Sequence, residues 1–376
     1  MANVSRRPNG KWRARYRDEA GNEHARHFDR KIDGQRWLDE VTASVVTGQY
    51  VDPGAGRITL AQYFAQWSAQ QVWVDGTEKA MSLAVRSSTF KNLELRKIRP
   101  THVERWVKIM RDGDPAKENS RKLAPGTIHT RVSNVRAVLR AAVRDKLISS
   151  DPAENVALPR LRKAEAAMTL PSSEEVGALI AAANDTFGVF VALCAFAGLR
   201  LGEAAAVQVR DIDFLRKQLT VARQVQRAGG KKVDIRLPKY GSERVVFLPQ
   251  ALLDTLSAHI AKLDGAGRER WLFLGEEGNP PHQNTVTYWW GKTRKAADVS
   301  GVKLHDLRHY FASGLIASGC DVVTVQRALG HSKATTTLNT YAHLWPSAED
   351  RTRQAAADLM TQALSAADSV RTKEAK

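Results

Sequence analysis

The hydrophobic pattern of the chain changes from a strand period to a helical period, and two segments typical of linkers divide the chain. Near the N-terminus apolar residues alternate with basic ones, as in a β-strand, whereas further along they recur every three to four residues, as in helices. The change of period falls at the Gly- and Pro-rich segment 50–56, and the basic segment 159–163 is a second predicted linker. We therefore predict an α+β, mainly α-helical, multidomain protein whose domains are residues 1–57, 58–160 and 161–376.

The first domain is predicted to be a small β-sheet followed by a helix. Arginine alternates with apolar residues in 12–17, and turn-forming residues before 23–28 indicate a returning strand. One face of the first strand then carries three basic residues, Arg13, Arg15 and Arg17. Such a face can enter a DNA groove, as strands of other DNA-binding proteins do, or it can be a solvated surface, and the sequence favours neither.

The second domain is predicted to be helical. Thr59 is placed to cap one helix, and Thr101 with Glu104 to form the capping box of another. A third helix is predicted from about residue 127 until Asp151-Pro152, with one apolar face and an opposite face of basic residues: Arg131, Arg136, Arg140 and Arg144. Like charges one turn apart repel each other unless phosphates neutralise them, which favours DNA binding over a solvated face.

Charge and composition restrict the class of protein. The 376 residues include 57 Lys and Arg against 40 Asp and Glu, a formal net charge of +17 that favours a nucleic-acid partner, with solubility alone as the alternative. Two cysteines exclude a disulfide scaffold, and we expect both to be packing residues. The longest apolar stretch, 187–197, is well below the ~20 residues of a membrane helix. No apolar signal segment follows Arg6 and Arg7, so we predict a soluble cytoplasmic protein with no membrane partner.

The third domain is predicted to mix helices with a small antiparallel sheet. Ser172 and Glu175 form a capping-box pattern, and residues 189–196 have the composition of a buried helix. Three strand-like runs follow, which we expect to pair in one sheet: 218–226, 232–238 and 244–249. Helical patterns resume from Leu252 onward.

The last third of the chain concentrates histidine, arginine and tyrosine, but it lacks the patterns of several common chemistries. Acidic residues do not cluster as two-metal phosphoryl transfer requires. His305 and His309 have a spacing that can bind zinc, yet the glutamate of a metalloprotease helix and a third ligand are missing. No phosphate-binding Gly-rich loop precedes a Lys-Ser/Thr pair. We therefore predict no metal and no cofactor.

The groups that remain suit a metal-free attack on a phosphodiester. Arginine forks pair with non-bridging phosphate oxygens, and a lysine or histidine can protonate a leaving oxygen. Tyrosine is a suitable nucleophile because its phosphate ester stores the broken bond for rejoining. Each residue alone has an ordinary alternative, since most arginines are solvated and most tyrosines are packing residues. It is the combination and its order along the chain that favours chemistry.

Four segments resemble the conserved boxes of the tyrosine recombinase family, in its bacteriophage-integrase branch. They read AGLRLGE at 197–203, LHDLRH at 304–309, LGHS at 329–332 and TTLNTYAH at 336–343. The predicted hairpin with Lys239 is similar to the family's β-turn lysine. The second domain also resembles the family's core-site DNA-binding domain, and the first resembles the arm-site domain of phage integrases.

The resemblance implies a role for each matching residue. Arg200 and Arg308 would bind the scissile phosphate, and His331 would donate a further hydrogen bond to it. His305 would assist proton transfer and orient the phosphate. Lys239 would be the general acid toward the leaving 5′ oxygen.

The nucleophile implied by the resemblance is Tyr341, which would form a 3′-phosphotyrosyl bond. Tyr310 is a rival tyrosine because it directly follows the His-x-x-Arg-His segment. Glu203 matches a supporting acidic position, and we expect structural roles for His309 and His343.

The resemblance implies a site-specific integrase that joins a phage or mobile-element genome to a bacterial chromosome and excises it with accessory factors. The implied partners are double-stranded DNA attachment sites, three further copies of the chain in a homotetramer on DNA, a host DNA-bending protein and an excisionase. The alternatives are a DNA-binding relative that no longer cuts and a topoisomerase-like enzyme without site specificity. Apolar residues after Tyr341, at helical spacing, predict a tail that packs on a neighbouring subunit or, as the alternative, on its own catalytic domain.

Overall fold

The computed structural model divides into two compact units, residues 1–161 and 162–376. It describes residues 3–374 except 19–20, 48–49, 53, 118–119, 162–167, 169, 228–232, 239–240, 266 and 346–347. The chain is mainly helical with small antiparallel sheets, as predicted. The further division of the first unit at residue 57 stays a prediction. No helix in the described part of the chain is long and apolar enough to cross a membrane.

The N-terminal sheet has three antiparallel strands, in the order β1 (Asn3–Arg6), β2 (Trp12–Arg17) and β3 (Glu23–Phe28). The helix α1 (Lys31–Val46) packs on one face, where Ala14 and Tyr16 are buried with Leu38. The pattern of alternation thus located β2 and β3 correctly. It did not indicate β1, which is short and mostly exposed.

Four helices with a common apolar core form the rest of the first unit: α2 (Leu60–Ser68), α3 (Asp75–Ser87), α4 (Pro100–Asp112) and α5 (Pro125–Arg144). Thr59 caps α2 as predicted, because its hydroxyl accepts a hydrogen bond from the Gln62 amide at 3.2 Å. The apolar face predicted for α5 is buried, and it includes Ile128, Val135 and Leu139.

Two predictions about helix ends in this unit are wrong. The capping box of Thr101 and Glu104 does not form, because α4 already begins at Pro100, whose missing N–H needs no acceptor in the first turn. Instead, the Arg99 amide donates to His102 Nδ1 at 3.0 Å. The helix α5 ends at Arg144 and not near residue 151, since Lys146 has a left-handed backbone with φ of 55°.

The second unit begins with α6 (Ser173–Ala182) and the buried helix α7 (Asp185–Phe196). The predicted capping box is confirmed: the Glu175 amide donates to the Ser172 hydroxyl, and the Ser172 amide to the Glu175 carboxylate. Further helices are α8 (Leu201–Ala205), α9 (Gln250–Ala261), α10 (Gln283–Ala296), α11 (Asp306–Ala317), α12 (Val322–Leu329), α13 (Ala334–Tyr341) and α14 (Ala348–Glu374).

The strands of this unit are β4 (Ile212–Asp213), β5 (Gln218–Val221), β6 (Gln224–Arg227), β7 (Val233–Arg236) and β8 (Arg244–Phe247). They form two antiparallel sheets, β4-β5-β8 and β6-β7, so the prediction of one sheet is wrong. The run 218–226 is divided because Arg223 interrupts it, with its guanidinium group on the carboxylate of Asp211 at 2.7 and 2.9 Å. The connection between the first two predicted runs contains residues 228–232, which lie outside the described residues.

The C-terminal helix α14 exposes its apolar residues. Leu359, Met360 and Leu364 are each more than half exposed. These side chains therefore do not pack on the catalytic domain of their own chain, which was the alternative prediction. Of the two cysteines, Cys194 is buried within α7, where burial raises the pKa of its thiol, and Cys320 is partly buried, in agreement with packing roles.

Candidate active site

A pocket of about 470 Å³ in the second unit brings together residues that are far apart in the sequence. Its lining includes the end of α13 and the turns that follow α7 and α12. The residues are Arg200, His305, Arg308, His309, Gly330, His331, Ser332, Thr336, Thr340 and Tyr341. All charged and titratable groups in this list come from the four sequence segments 197–203, 304–309, 329–332 and 336–343.

Two glycines allow the chain to approach this pocket closely. Gly198 has φ of 62°, and a Cβ atom there would lie 2.4 Å from the ring of Phe311. Gly330 has φ of 63°, and its Cβ would lie 2.9 Å from the side chain of Arg244. Both positions require the left-handed conformation that glycine adopts without strain. The first glycine directly precedes the loop to Arg200, and the second directly precedes His331.

Arg308 is the most buried cation of the pocket, with 2% of its surface exposed. Its guanidinium group donates to the carbonyl oxygen of Gly198 at 2.5 Å and to that of Leu329. Burial and the neighbouring Arg200 and Arg244 lower the pKa of Arg308 to about 9, so the group stays charged at neutral pH. It therefore presents a fixed positive charge that is held by backbone carbonyls and lacks a carboxylate partner among the described residues.

A buried carboxylate orients the other two arginines. Glu203 Oε1 accepts from Arg200 at 2.6 Å, and Glu203 Oε2 accepts from Arg244 at 2.9 Å. Burial alone would raise the pKa of Glu203, but the hydrogen bond and charge of Arg244 and the charge of Arg200 outweigh it and lower the pKa to about 2. Glu203 thus pairs with Arg200 and Arg244, while Arg308 is held by carbonyl oxygens. Three guanidinium groups with a single paired carboxylate leave an excess of positive charge suited to an anion.

Two histidines of the pocket are neutral at pH 7. Burial, together with the charges of Arg308 and Arg200, lowers the pKa of His331 to about 4, and its Nδ1 lies 2.9 Å from the buried Thr337 hydroxyl. For His305, burial and the neighbouring His309 and Arg308 also lower the pKa to about 4. Neutral imidazoles can donate one hydrogen bond and accept another, which suits contact with a phosphate and a proton-transfer role.

Tyr341 ends α13 with its side chain almost completely buried at the base of the pocket. Its hydroxyl lies 2.8 Å from Nδ1 of His309. Burial raises the pKa of Tyr341 to about 12, although Arg308 and Arg200 act in the opposite direction. The phenol is therefore protonated at neutral pH, and a nucleophilic attack by its oxygen requires a group that takes up the proton.

The pocket lies in a segment of the chain that matches a known protein family. The family model described as the phage integrase family matches residues 172–347, which contain the whole pocket. The putative prophage phiRv2 integrase of Mycobacterium tuberculosis (strain H37Rv) is 28% identical over 93% of this chain and 92% of its own length. The chain is a tyrosine recombinase of the phage-integrase type. It is therefore an enzyme of the class that cleaves and rejoins DNA strands.

Further comparisons agree with this assignment. A tyrosine recombinase of Thermosipho africanus is 28% identical to this chain, over 72% of this chain and 89% of the relative's own length. Among solved structures, the Tn1549 transposon integrase in complex with a circular intermediate DNA has a TM-score of 0.67 at 18% identity and covers 80% of this chain and 99% of its own. A lambda integrase tetramer bound to a Holliday junction has a TM-score of 0.55 at 18% identity, covering 89% and 96%. These two structures support the fold.

The pocket contains most of the catalytic residues predicted from the sequence. Five of the six line it, and the exception is Lys239, which lies outside the described residues together with Tyr240. The rival Tyr310 is not a lining residue, and its hydroxyl instead lies 3.1 Å from that of Ser173. The described residues contain no cluster of three His, Cys, Asp or Glu side chains that could bind a metal.

Sequence reasoning missed the role of two polar residues near the pocket. Arg244 is a partner of Glu203, and Ser242 accepts a hydrogen bond from Arg200 at 3.3 Å. Both lie just after the predicted hairpin, about 40 residues from their partners, so no local pattern connects them. The contact between His309 and Tyr341 was also missed, and the only signal was the position of His309 one helical turn after His305.

The arginines of the recombinase that were predicted to bind DNA are exposed or partly exposed, and several have acidic partners. On β2, Arg13 and Arg15 both pair with Glu23, at 2.8 and 3.3 Å, while Arg17 has no carboxylate within ion-pair distance among the described residues. The alternation therefore predicted the strand correctly, but the positive charge on its basic face is partly offset by Glu23.

The basic stripe on α5 is partly compensated, contrary to the prediction. Arg136 pairs with Asp151 at 2.8 Å, and Arg144 lies 3.8 Å from Asp145. The reason is that the loop after α5 turns back and brings acidic residues to the helix. Arg131 and Arg140 have no ion pair within the described part of the chain. Whether any of these arginines contacts DNA remains a prediction.

Proposed function

We propose that the recombinase is a site-specific integrase that cleaves each DNA strand with Tyr341 and forms a 3′-phosphotyrosyl intermediate. The observation that carries this proposal is the position of the Tyr341 hydroxyl in one pocket with Arg200 and Arg308. Arginine forks at this place bind the non-bridging oxygens of a phosphate and stabilise the charge that grows on them in the transition state.

The other predicted residues complete the proposed step. His331 and His305 hydrogen-bond to the phosphate, and His305 also assists proton transfer. Lys239 protonates the 5′ oxygen as it leaves. Rejoining is the reverse reaction, in which a 5′ hydroxyl attacks the phosphotyrosine. The ester preserves the energy of the broken bond, so neither a metal nor a nucleotide cofactor is part of this proposal.

The proposed substrates are two double-stranded attachment sites, one on a phage or mobile element and one on a bacterial chromosome. Support comes from the names of the relatives, which include a putative prophage integrase and the integrase of Mycobacterium phage L5. We further propose a homotetramer on DNA, with a host DNA-bending protein and an excisionase as accessory partners in the bacterial cytoplasm. The exposed apolar residues of α14 offer a surface that a neighbouring copy can cover.

Sequencing the junctions made by the recombinase in bacteria, followed by a trapping assay, tests the proposal. The recovered site is built into a duplex with a nick beside the cleavage position, so that the cleaved fragment diffuses away and the covalent complex accumulates. We expect an adduct with the unchanged protein and with Tyr310→Phe, and none with Tyr341→Phe. Binding without any adduct would support a DNA-binding relative that no longer cuts. Relaxation of any supercoiled plasmid without a specific site would support the topoisomerase alternative.

A further inference from the structure

Two histidines of the pocket lie one turn apart at the start of α11, but only one of them reaches the nucleophile. Nδ1 of His309 is 2.8 Å from the Tyr341 hydroxyl, and the two rings are 5.5 Å apart. The ring of His305 packs edge-on against His309 at 5.0 Å and makes no hydrogen bond to the hydroxyl within the described structure. The geometry thus separates the two histidines: both line the pocket, but only His309 contacts the attacking oxygen.

The state of His309 fits a proton acceptor. Burial and the charge of Arg308 lower the pKa of His309, while Asp306 acts in the opposite direction, so the imidazole is neutral at pH 7. In the neutral tautomer with hydrogen on Nε2, the lone pair of Nδ1 points to the phenolic hydrogen. Because only 1% of Tyr341 is exposed, bulk water has little access to take up this proton.

We propose that His309 is a catalytic residue that accepts the phenolic proton of Tyr341 as the tyrosine oxygen attacks the phosphorus. This inference rests on the proposed function. The O–H bond of Tyr341 breaks and its proton moves to Nδ1, the bond from the tyrosine oxygen to phosphorus forms, and the bond from phosphorus to the 5′ oxygen breaks. The leaving oxygen takes a proton from Lys239. In rejoining, the imidazolium of His309 returns its proton to the departing tyrosine oxygen.

A purely structural role for His309 is the alternative, since a buried hydroxyl needs a hydrogen-bond partner in any case. The variant His309→Asn separates the two roles. The asparagine amide can occupy the place of Nδ1 and keep a hydrogen bond to Tyr341, but it cannot accept a proton. We expect this variant to fold normally and to form the adduct about 10²–10⁴-fold more slowly, the usual contribution of general acid–base catalysis.

The decisive measurement replaces Tyr341 by a ring-difluorinated tyrosine, whose hydroxyl has a much lower pKa and therefore depends far less on a base. In the His309→Asn background this replacement should recover most of the lost rate, while in the unchanged protein it should alter the rate far less. The assay is the single-turnover rate of adduct formation on the nicked duplex, with unfolding followed in parallel. His343→Asn, an exposed histidine two residues from Tyr341, is the matched control and should keep the normal rate.

The outcomes distinguish this inference from the proposed function. An unchanged rate in His309→Asn, or a reduced rate that the fluorinated tyrosine does not restore, would overturn the proton-acceptor role and leave the function intact. If instead Tyr341→Phe still forms an adduct, the proposed function fails. If His309→Asn does not fold, the fluorinated tyrosine in the otherwise unchanged protein is the test. A strong increase in its rate of adduct formation would mean that His309 does not act as the base, and would overturn the inference.

Discussion

The recombinase contains two groups of arginines that look alike in the sequence and differ in how deeply they are buried. Arg200 and Arg308 line the pocket in the second unit, and Arg244 pairs with Glu203 beside it. The side chain of Arg244 is 5% exposed, and Arg308 is 2% exposed. Arg136 and Arg144, on α5 of the first unit, have 40% and 71% of their side chains exposed. The first group is fixed by a buried carboxylate and by backbone carbonyls, whereas the second is more exposed to water.

This difference determines what each arginine can contribute. The N–H groups of a buried guanidinium need hydrogen-bond acceptors. If one acceptor is lost, an unpaired charged group remains in the protein interior, which lowers the free energy of unfolding. An exposed arginine interacts weakly with its neighbours and acts mainly through its charge, which salt screens. We therefore expect changes in the pocket to have large effects that depend on geometry, and changes on α5 to have small effects that depend on ionic strength.

The largest effect is expected for Glu203→Gln. Glutamine has nearly the same shape, but it removes the one negative charge that Arg200 and Arg244 share. Breaking a buried ion pair in this way typically costs about 3–5 kcal/mol in the free energy of unfolding, which urea denaturation at pH 7 measures. The matched control is Glu269→Gln in the exposed pair with Arg210, for which about 0.2–1 kcal/mol is expected.

The same variant predicts a change in pH dependence. Glu203 has a pKa near 2 in the folded protein, below its ordinary value of 4.5, so its ionised form stabilises the fold above pH 4.5. This stabilisation is lost as the pH falls from 4.5 through 2, since the unfolded chain binds the proton first. Glu203→Gln should lose this part of the acid dependence. Equal acid profiles for both proteins would contradict the assignment of the buried charge.

Much of the pocket could be predicted from the sequence because its residues lie in short segments with a fixed order. Arg200, Arg308 and Tyr341 each belong to a segment in which glycines or a helix end set the local backbone. The buried face of α5 and the strands β2 and β3 were also predictable, because burial on one side imposes a period on the apolar residues.

What the sequence did not indicate depends on contacts between distant residues. The pairing of Glu203 with Arg244 joins positions 41 residues apart, and Arg136 meets Asp151 only because α5 ends early and the loop returns. The split of the predicted sheet has the same origin, since Asp211 holds Arg223 across the interruption. A local pattern contains the type and the spacing of side chains, but not the partner that tertiary packing provides.

The second largest effect is expected for Arg308→Lys, which keeps the charge and removes the fork. A lysine ammonium group cannot donate to the Gly198 and Leu329 carbonyls in the same geometry and also present two parallel donors to a phosphate. We expect adduct formation on the nicked duplex to slow by about 10²–10³-fold, as for the loss of one transition-state donor. Arg210→Lys, at an exposed ion pair in the same unit, should keep the normal rate. A normal rate in Arg308→Lys would show that charge alone is sufficient in the pocket.

The smallest effect is expected on α5, and there the comparison between two arginines is the test. Arg140 is exposed without an acidic partner among the described residues, whereas Arg136 is paired with Asp151. If the stripe contacts phosphates, Arg140→Gln should weaken binding to duplex DNA a few-fold and reduce the slope of log affinity against log salt by about 1. Arg136→Gln should change this slope less, because Asp151 already offsets its charge. Fluorescence anisotropy across a series of salt concentrations measures both values.

Two other results would change the comparison between pocket and stripe. Equal slopes for Arg140→Gln and the unchanged protein would mean that this face of α5 is solvated when DNA is bound, and that the positive charge acts elsewhere. A larger loss for Arg136→Gln would mean that Asp151 orients a phosphate-binding guanidinium group, as Glu203 does in the pocket. In that case the stripe would depend on placement as the pocket does, and exposure would no longer separate the two groups of arginines.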